Sequence, residues 1–291
     1  RDYMIEMLKF WLREFDLDGF RCDVAGFVPT DFWERARTEL EKIKPDIVML
    51  AEWHSPDLLV KAFDLDYSWP LHSTLTEVLM GTKPASVLRE VWREEREQFP
   101  VNALHMRFSD NHDERRAIAR FGERAALAAS AMMFTLDGVP MLYNGMEVGD
   151  TAESGSPALF EKLPIFWPIS ERRPEFPRFY QQMIALRHAH EALRSGSLEW
   201  LRNSTEARVV TYLRRTPQEE ILVAINFSNA PVVGFVETVD AASFADVTPD
   251  VAPPLPPDAP APDREARRHT VGLPAIALDA WGYRIFRRAV K

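Results

Sequence analysis

Apolar and polar positions alternate with two different periods along this chain, and the change of period divides it. Positions 1–15, RDYMIEMLKFWLREF, carry Met4, Met7, Leu8, Trp11 and Phe15 at helical spacing, which predicts an opening helix. DGFRCDVAGF then reads as a strand. Thr30 or Asp31, with Glu34 following, predicts the cap of a second helix whose face is Phe32, Ala36, Leu40 and Ile43. DIVMLAEW (46–53) is a nearly continuous apolar run, the pattern of a strand covered on both faces. Further strands are predicted in 62–69, 102–114 and 139–149, and further helices over 84–99, 123–136 and 176–193.

Strand and helix alternate through this region, which implies crossover units and a parallel sheet. From about Ser195 the pattern changes. ARVVTYLRR, EILVAINFS, PVVGFVE and WGYRIFRR are short strands separated by turn signals, so a small antiparallel domain is predicted over 195–291. Within it, 248–263 carries seven prolines and no periodicity, the composition of an extended surface loop. The resulting division is 1–194 and 195–291. No internal repeat is visible.

Composition narrows the function classes. Hydrophobic residues make up 46% of the 291 positions and the formal net charge is −9. An acidic balance without basic clusters argues against a nucleic-acid or anionic-membrane partner. No apolar run reaches membrane-spanning length. The single cysteine, Cys22, excludes an intrachain disulfide and reads as a small buried hydrophobe. The chain begins at Arg1, inside a helical pattern and without a signal-peptide pattern, so it reads as a piece of something longer.

Three strand ends deliver acids: Asp23, Glu52 and, in SDNHD, Asp113. Barrel enzymes and open α/β sheets place their sites at such ends. Converging carboxylates bind a metal, share protons or meet a developing positive charge. Arg21, two residues before Asp23, is expected on the same strand face, where it would keep a partly buried Asp23 ionised. His188 and His190 lie two apart on a helix and make a poor metal pair.

GFRCDVA, LAEW and FSDNHDE, in this order and each after a strand, resemble three signature regions of the α-amylase family of glycoside hydrolases. GVPMLYNGMEVG resembles that family's strand-eight signature. The resemblance covers roughly 1–195. It implies a partial TIM (β/α)8 barrel, about strands 4–8, followed by a small antiparallel β-sandwich domain. It implies a retaining hydrolase of starch-type α-glucans or malto-oligosaccharides, with Asp23 as nucleophile, Glu52 as acid and then base, and Asp113 as stabiliser of the distorted sugar. By the same resemblance Arg21 orients Asp23, and His112 and Asn111 contact the sugar beside the scissile bond. Trp53, Tyr67 and Trp69 are candidate platforms for sugar faces. Where many members carry a Lys-His pair after the nucleophile, this chain has Gly26 and Phe27, so leaving-group-side binding is expected to be more apolar.

The family's first signature has no counterpart here. The first barrel strands and the loop domain after strand three are therefore expected from an N-terminal partner segment. The resemblance implies no metal ligand in this chain and no cofactor for the chemistry, and assigns any structural calcium to ligands outside it. A glucanotransferase or isomerase using the same acids and an inactive carbohydrate-binding relative are the alternatives.

Overall fold

The computed structural model describes residues 1–152, 162–237, 243–251 and 272–290. Most of the Pro-rich stretch, from 252 on, lies outside the described residues. The chain divides into two compact units, Arg1–His72 with Glu90–Arg107, and Ser73–Arg89 with Phe108–Lys291.

In chain order the elements up to residue 107 are α1 (Asp2–Phe15), β1 (Gly19–Cys22), α2 (Thr30–Glu41), β2 (Val48–Ala51), α3 (Leu58–Lys61), β3 (Leu65–Tyr67), α4 (Trp69–Leu79), α5 (Val87–Gln98) and β4 (Leu104–Arg107). The strands β1, β2, β3 and β4 are parallel neighbours in sequence order. Cys22 pairs with Ala51, Ala51 with Asp66, and Asp66 with His105. This is the expected βα alternation. Gly19 is required by the first pairing, because a Cβ there would lie 1.8 Å from the Val48 carbonyl oxygen.

The core of the first unit lies on one face of this sheet. Cys22, Met49 and Ala51 point into it and meet Ile5, Leu8 and Leu12 of α1, Phe32, Ala36 and Leu40 of α2, and Leu58 and Leu59 of α3. Three local expectations are corrected. The buried stripe of α1 is Ile5, Leu8 and Leu12, while Met4, Trp11 and Phe15 are exposed; with so many apolar positions, several phases of the stripe fit the pattern. β2 is covered on one face only, since Val48 is exposed beside fully buried Met49. The anticipated cap of α2 does not form. Pro29 precedes the helix, the Thr30 hydroxyl donates to Asp57 Oδ2 (2.6 Å), and Asp31 pairs with Arg1 (2.6 Å).

The second unit contains α6 (Ala117–Phe121), α7 (Glu123–Thr135), β5 (Val139–Pro140), α8 (Glu175–Ala189) and α9 (Glu191–Ser195). Antiparallel strands follow: β6 (Ser197–Leu201), β7 (Val209–Arg215), β8 (Glu219–Asn226), β9 (Val232–Phe235), β10 (Ala245–Asp246), β11 (Ala275–Leu278) and β12 (Tyr283–Ala289). One sheet has the order β10-β12-β8-β7-β6, and β11 pairs with β9 in another. Val209, Leu213, Leu222 and Phe286 of the first share a core with Val232, Ile276 and Leu278 of the second.

Helix α7 is buried along nearly its whole length, as its Ala-rich pattern predicts. Two arginines hold its C-terminal end. Buried Arg214 donates to the carbonyls of Thr135 (2.9 Å), Leu193 (3.1 Å) and Gly196 (2.9 Å). Arg187 donates to those of Phe134 (3.0 Å) and Gly138 (2.6 Å), and burial pushes its guanidinium down to about 10. Helix ends leave carbonyls without intrahelical donors, and cations are favoured there. Among the described residues, no helix is long and apolar enough to cross a membrane.

Candidate active site

The strand β1 ends at Cys22, so Asp23 stands in the turn just beyond it. The expected pairing is nevertheless made: Arg21 Nη1 donates to Asp23 Oδ1 at 2.6 Å. The other terminal nitrogen of the same guanidinium bonds Glu52 Oε1. Tyr67, from β3, is buried and accepts from Arg21 Nε at 3.5 Å. Tyr67 is therefore a buried partner of Arg21 and not an open platform for a sugar. One guanidinium thus joins two carboxylates delivered by two adjacent strands, a fork geometry suited to both.

The two acids sit in different surroundings. Glu52 is buried at 8%, whereas the Asp23 side chain is 73% exposed, more open than the partly buried position expected. Burial pushes the Glu52 carboxyl above its ordinary value. The Val24 N–H and Arg21 oppose that rise, and a hydrogen bond and charge from Asp23 add to it. Desolvation disfavours a carboxylate, and a like charge nearby does the same.

The backbone around Glu52 is closely specified. Val24 N–H donates to Glu52 Oε2 at 3.0 Å, Glu52 N–H donates to Cys22 O at 3.0 Å, and Ala25 N–H donates to Glu52 O at 3.3 Å. To aim its N–H this way Val24 adopts φ 43° and ψ 46°, the left-handed region that a β-branched residue rarely occupies. No pattern of residue types reveals this strain. A short 3-10 turn, Ala25–Phe27, follows. A Cβ on Gly26 would lie 2.1 Å from Trp53 Cε2, so the indole lies directly on the Gly26 backbone. Phe27 is 79% exposed, and its ring centroid stands 5.1 Å from that of Trp53.

In the second unit, the stretch that follows β4 carries the remaining candidates. Asn111 is fully buried, and its Oδ1 accepts from the N–H groups of Asp113 and Glu114, both at 3.0 Å. Its carboxamide oxygen thus shapes the turn that presents Asp113, while its buried Nδ2 has no hydrogen-bond partner among the described residues. Asp113 and His112 remain partly exposed, with His112 Nε2 3.6 Å from Asp113 Oδ2.

Asp110, in the same SDNHD segment, was not singled out by its position in the sequence. It is buried, and burial pushes its carboxyl up to about 7 against the opposing charge of Arg116. Arg116 stands 3.7 Å from Asp110 and 3.6 Å from Asp150, over the ring of Tyr143 at 4.5 Å.

Comparison with known proteins places the chain in a family. The family model described as the alpha amylase catalytic domain matches residues 1–175. The chain belongs to the α-amylase family. It is 29% identical over 238 residues to a cyclomaltodextrinase of Bacillus sp, covering 79% of this chain and 42% of that protein. It is 30% identical over 231 residues to the intracellular maltogenic amylase of Bacillus subtilis strain 168, covering 76% and 38%. The chain thus spans about two-fifths of the length of these relatives. Among solved structures, a cyclomaltodextrinase aligns with a TM-score of 0.79 at 23% identity, over 99% of this chain and 48% of the other. A maltogenic alpha-amylase from Thermotoga neapolitana aligns with a TM-score of 0.74 at 24% identity, over 100% and 63%. The fold is accordingly the TIM-barrel-like α/β fold of these enzymes, with the antiparallel sheets described above.

Proposed function

We propose that this chain supplies the reacting carboxylates of a retaining α-glucoside hydrolase acting on starch-type α-glucans or malto-oligosaccharides. The observation that carries this reading is the Arg21 bridge between one exposed and one buried carboxyl group. Retaining hydrolysis needs an ionised nucleophile and a protonated acid about 5–5.5 Å apart. Burial, which raises the Glu52 carboxyl, suits that residue to hold the acid's proton.

In this reading Asp23 attacks the anomeric carbon as the bond to the leaving oxygen breaks. Glu52 gives its proton to that oxygen, and a glycosyl ester forms on Asp23. Glu52, now ionised, takes a proton from water. The resulting hydroxide equivalent attacks the anomeric carbon and releases Asp23. Both carboxyl groups end as they began. Asp113 stabilises the positive charge that develops on the sugar ring, His112 binds that sugar, and Asn111 sets the turn that carries Asp113. Phe27 and Trp53 form an apolar platform on the leaving-group side. The reaction draws on no cofactor, and any structural calcium is held by ligands outside this chain.

We read 1–194 as the closing portion of the barrel, about strands 4–8, completed by an N-terminal segment. Residues 195–291 form the β-sandwich that follows. The names of the relatives, cyclomaltodextrinase and maltogenic amylase, support short or cyclic α-glucans as substrates. The test uses the full-length protein carrying this chain with maltotriose and cyclodextrin, following the first-formed anomer by proton NMR. Retention is expected, with Asp23→Asn slower by at least ~10⁴-fold. Inversion, or an Asp23→Asn variant of ordinary activity, would overturn the assignment.

A further inference from the structure

We propose that His54, Asp66 and His105 form a binding site for one divalent transition-metal cation of the zinc or cobalt class, separate from the Asp23–Glu52 carboxylates. Asp66 and His105 are register partners on the adjacent strands β3 and β4. Neighbouring strands lie ~4.8 Å apart, so in-register side chains stand side by side on one face. Tyr67, the next residue, points to the other face and reaches Arg21. His54 comes from the loop after β2, two residues beyond Glu52.

One ligand atom from each of the three residues lies within 4.8 Å of the others. His54 Nδ1 and Asp66 Oδ2 are 3.1 Å apart, yet both are buried and neither makes a hydrogen bond among the described residues. Two ligands on a tetrahedral centre with bonds of ~2.0–2.1 Å stand ~3.3 Å apart without facing each other along a hydrogen-bond axis. Asp66 has no exposed surface, and only its Oδ1 is engaged, by His105 Nδ1 at 2.5 Å. His105 Nε2 is also buried and unpartnered. An unpartnered buried carboxylate oxygen is costly, and a cation shared with the imidazoles removes that cost.

The neighbouring charges leave Asp66 in need of such a partner. Buried Glu95 of α5 is already matched, accepting from Arg107 Nη1 at 2.5 Å and from the Ser68 hydroxyl at 2.5 Å. Asp66 is left with the two imidazoles. Glu95 Oε1, engaged by Ser68, stands 3.8 Å from His105 Nδ1, outside hydrogen-bond distance. The Phe99 ring packs on both imidazoles, at 4.6 and 4.7 Å between centroids, and fixes their orientation. The His54 side chain is 17% exposed, which leaves an entry path. Two imidazoles and a carboxylate suit zinc, cobalt, nickel or copper and disfavour calcium and magnesium, which take oxygen ligands.

The test takes the full-length protein, stripped with a chelator and dialysed. It is titrated with Co²⁺ while visible absorption is followed, then with Zn²⁺ by calorimetry. One equivalent per chain is expected, with ligand-field bands of low-symmetry four-coordinate cobalt that Zn²⁺ abolishes, and a higher Tm in the zinc-loaded protein. His54→Ala, in a partly exposed loop, and Asp66→Asn should each weaken Zn²⁺ binding at least ~tenfold. Asp23→Asn, which alters the proposed hydrolytic site alone, should leave it unchanged. Absence of saturable binding below ~100 μM overturns the site, on the scale of affinity at which metals compete with solvent. Binding that survives both His54→Ala and Asp66→Asn overturns it as well, since the metal then sits elsewhere.

Discussion

Replacing Arg21 by methionine keeps much of the side chain's length and removes its charge and its donors. The guanidinium holds Asp23 Oδ1 at 2.6 Å and also bonds Glu52. Burial and Asp23 raise the Glu52 carboxyl, while Arg21 and the Val24 N–H restrain that rise. An adjacent cation lowers a carboxyl's pKa by about 1–3. In Arg21→Met that restraint is gone, so Glu52 holds its proton to higher pH. If Glu52 is the general acid, the basic limb of kcat/KM against pH follows the same group, and it should move to higher pH. The rate at the optimum should also fall by at least ~10², because Asp23 loses the bond that orients it. Arg21→Lys separates the two effects: it keeps the charge and loses the fork, so the rate falls while the basic limb moves less. The assay is initial rates on an aryl maltoside from pH 4 to 9. A basic limb at the same pH in wild type and Arg21→Met would refute the coupling of Arg21 to Glu52.

Asp110 yields a stability prediction with a definite sign. Its carboxyl is raised from 3.8 to about 7 in the folded protein, so the folded state keeps a proton that the unfolded state has released. Stability from this group is present below pH ~4 and is lost as pH rises through about 7. At ~1.4 kcal/mol per tenfold change in proton affinity the loss is ~4 kcal/mol. Denaturant midpoints should therefore fall from pH 4 to 8 more steeply in wild type than in Asp110→Asn, and equal slopes would contradict the burial argument. Gly26→Ala forces a methyl onto the Trp53 indole. It should cost ~1–3 kcal/mol of stability by overpacking and change the indole fluorescence, with reduced activity on malto-oligosaccharides.

What was legible in the chain was the alternation of buried strands and amphipathic helices, and the polar residues where strands end. GFRCDVA and AEW could be read because a charge beside an apolar run stands out. The Arg21–Asp23 pair followed from two-residue spacing, although the strand stops at Cys22 and the bond is completed in a turn. The phase of α1 was ambiguous because apolar residues surround most of that helix, and burial chose Ile5, Leu8 and Leu12. Other features arise only from tertiary contact. The left-handed Val24 is imposed by the hydrogen bond to Glu52. The turn that Asn111 shapes, through its oxygen on the Asp113 and Glu114 amides, is visible only in the folded chain. The pairing of Asp66 with His105 requires a strand register that joins residues 39 positions apart. A visible signal did exist there, an aspartate inside the apolar run AFDLDYSW, since a charge within a strand is kept only with partners.

The central claim is that Asp23 forms a bond to the sugar. It is tested most directly by treating the full-length protein with a 5-fluoro-α-glucosyl fluoride, which slows breakdown of a glycosyl ester more than its formation. Peptide mass spectrometry then locates the label. The account predicts one fluoroglucosyl group per chain, on the peptide containing Asp23, and none in Asp23→Asn. A label on another carboxylate, with Asp23 unmodified, would contradict it.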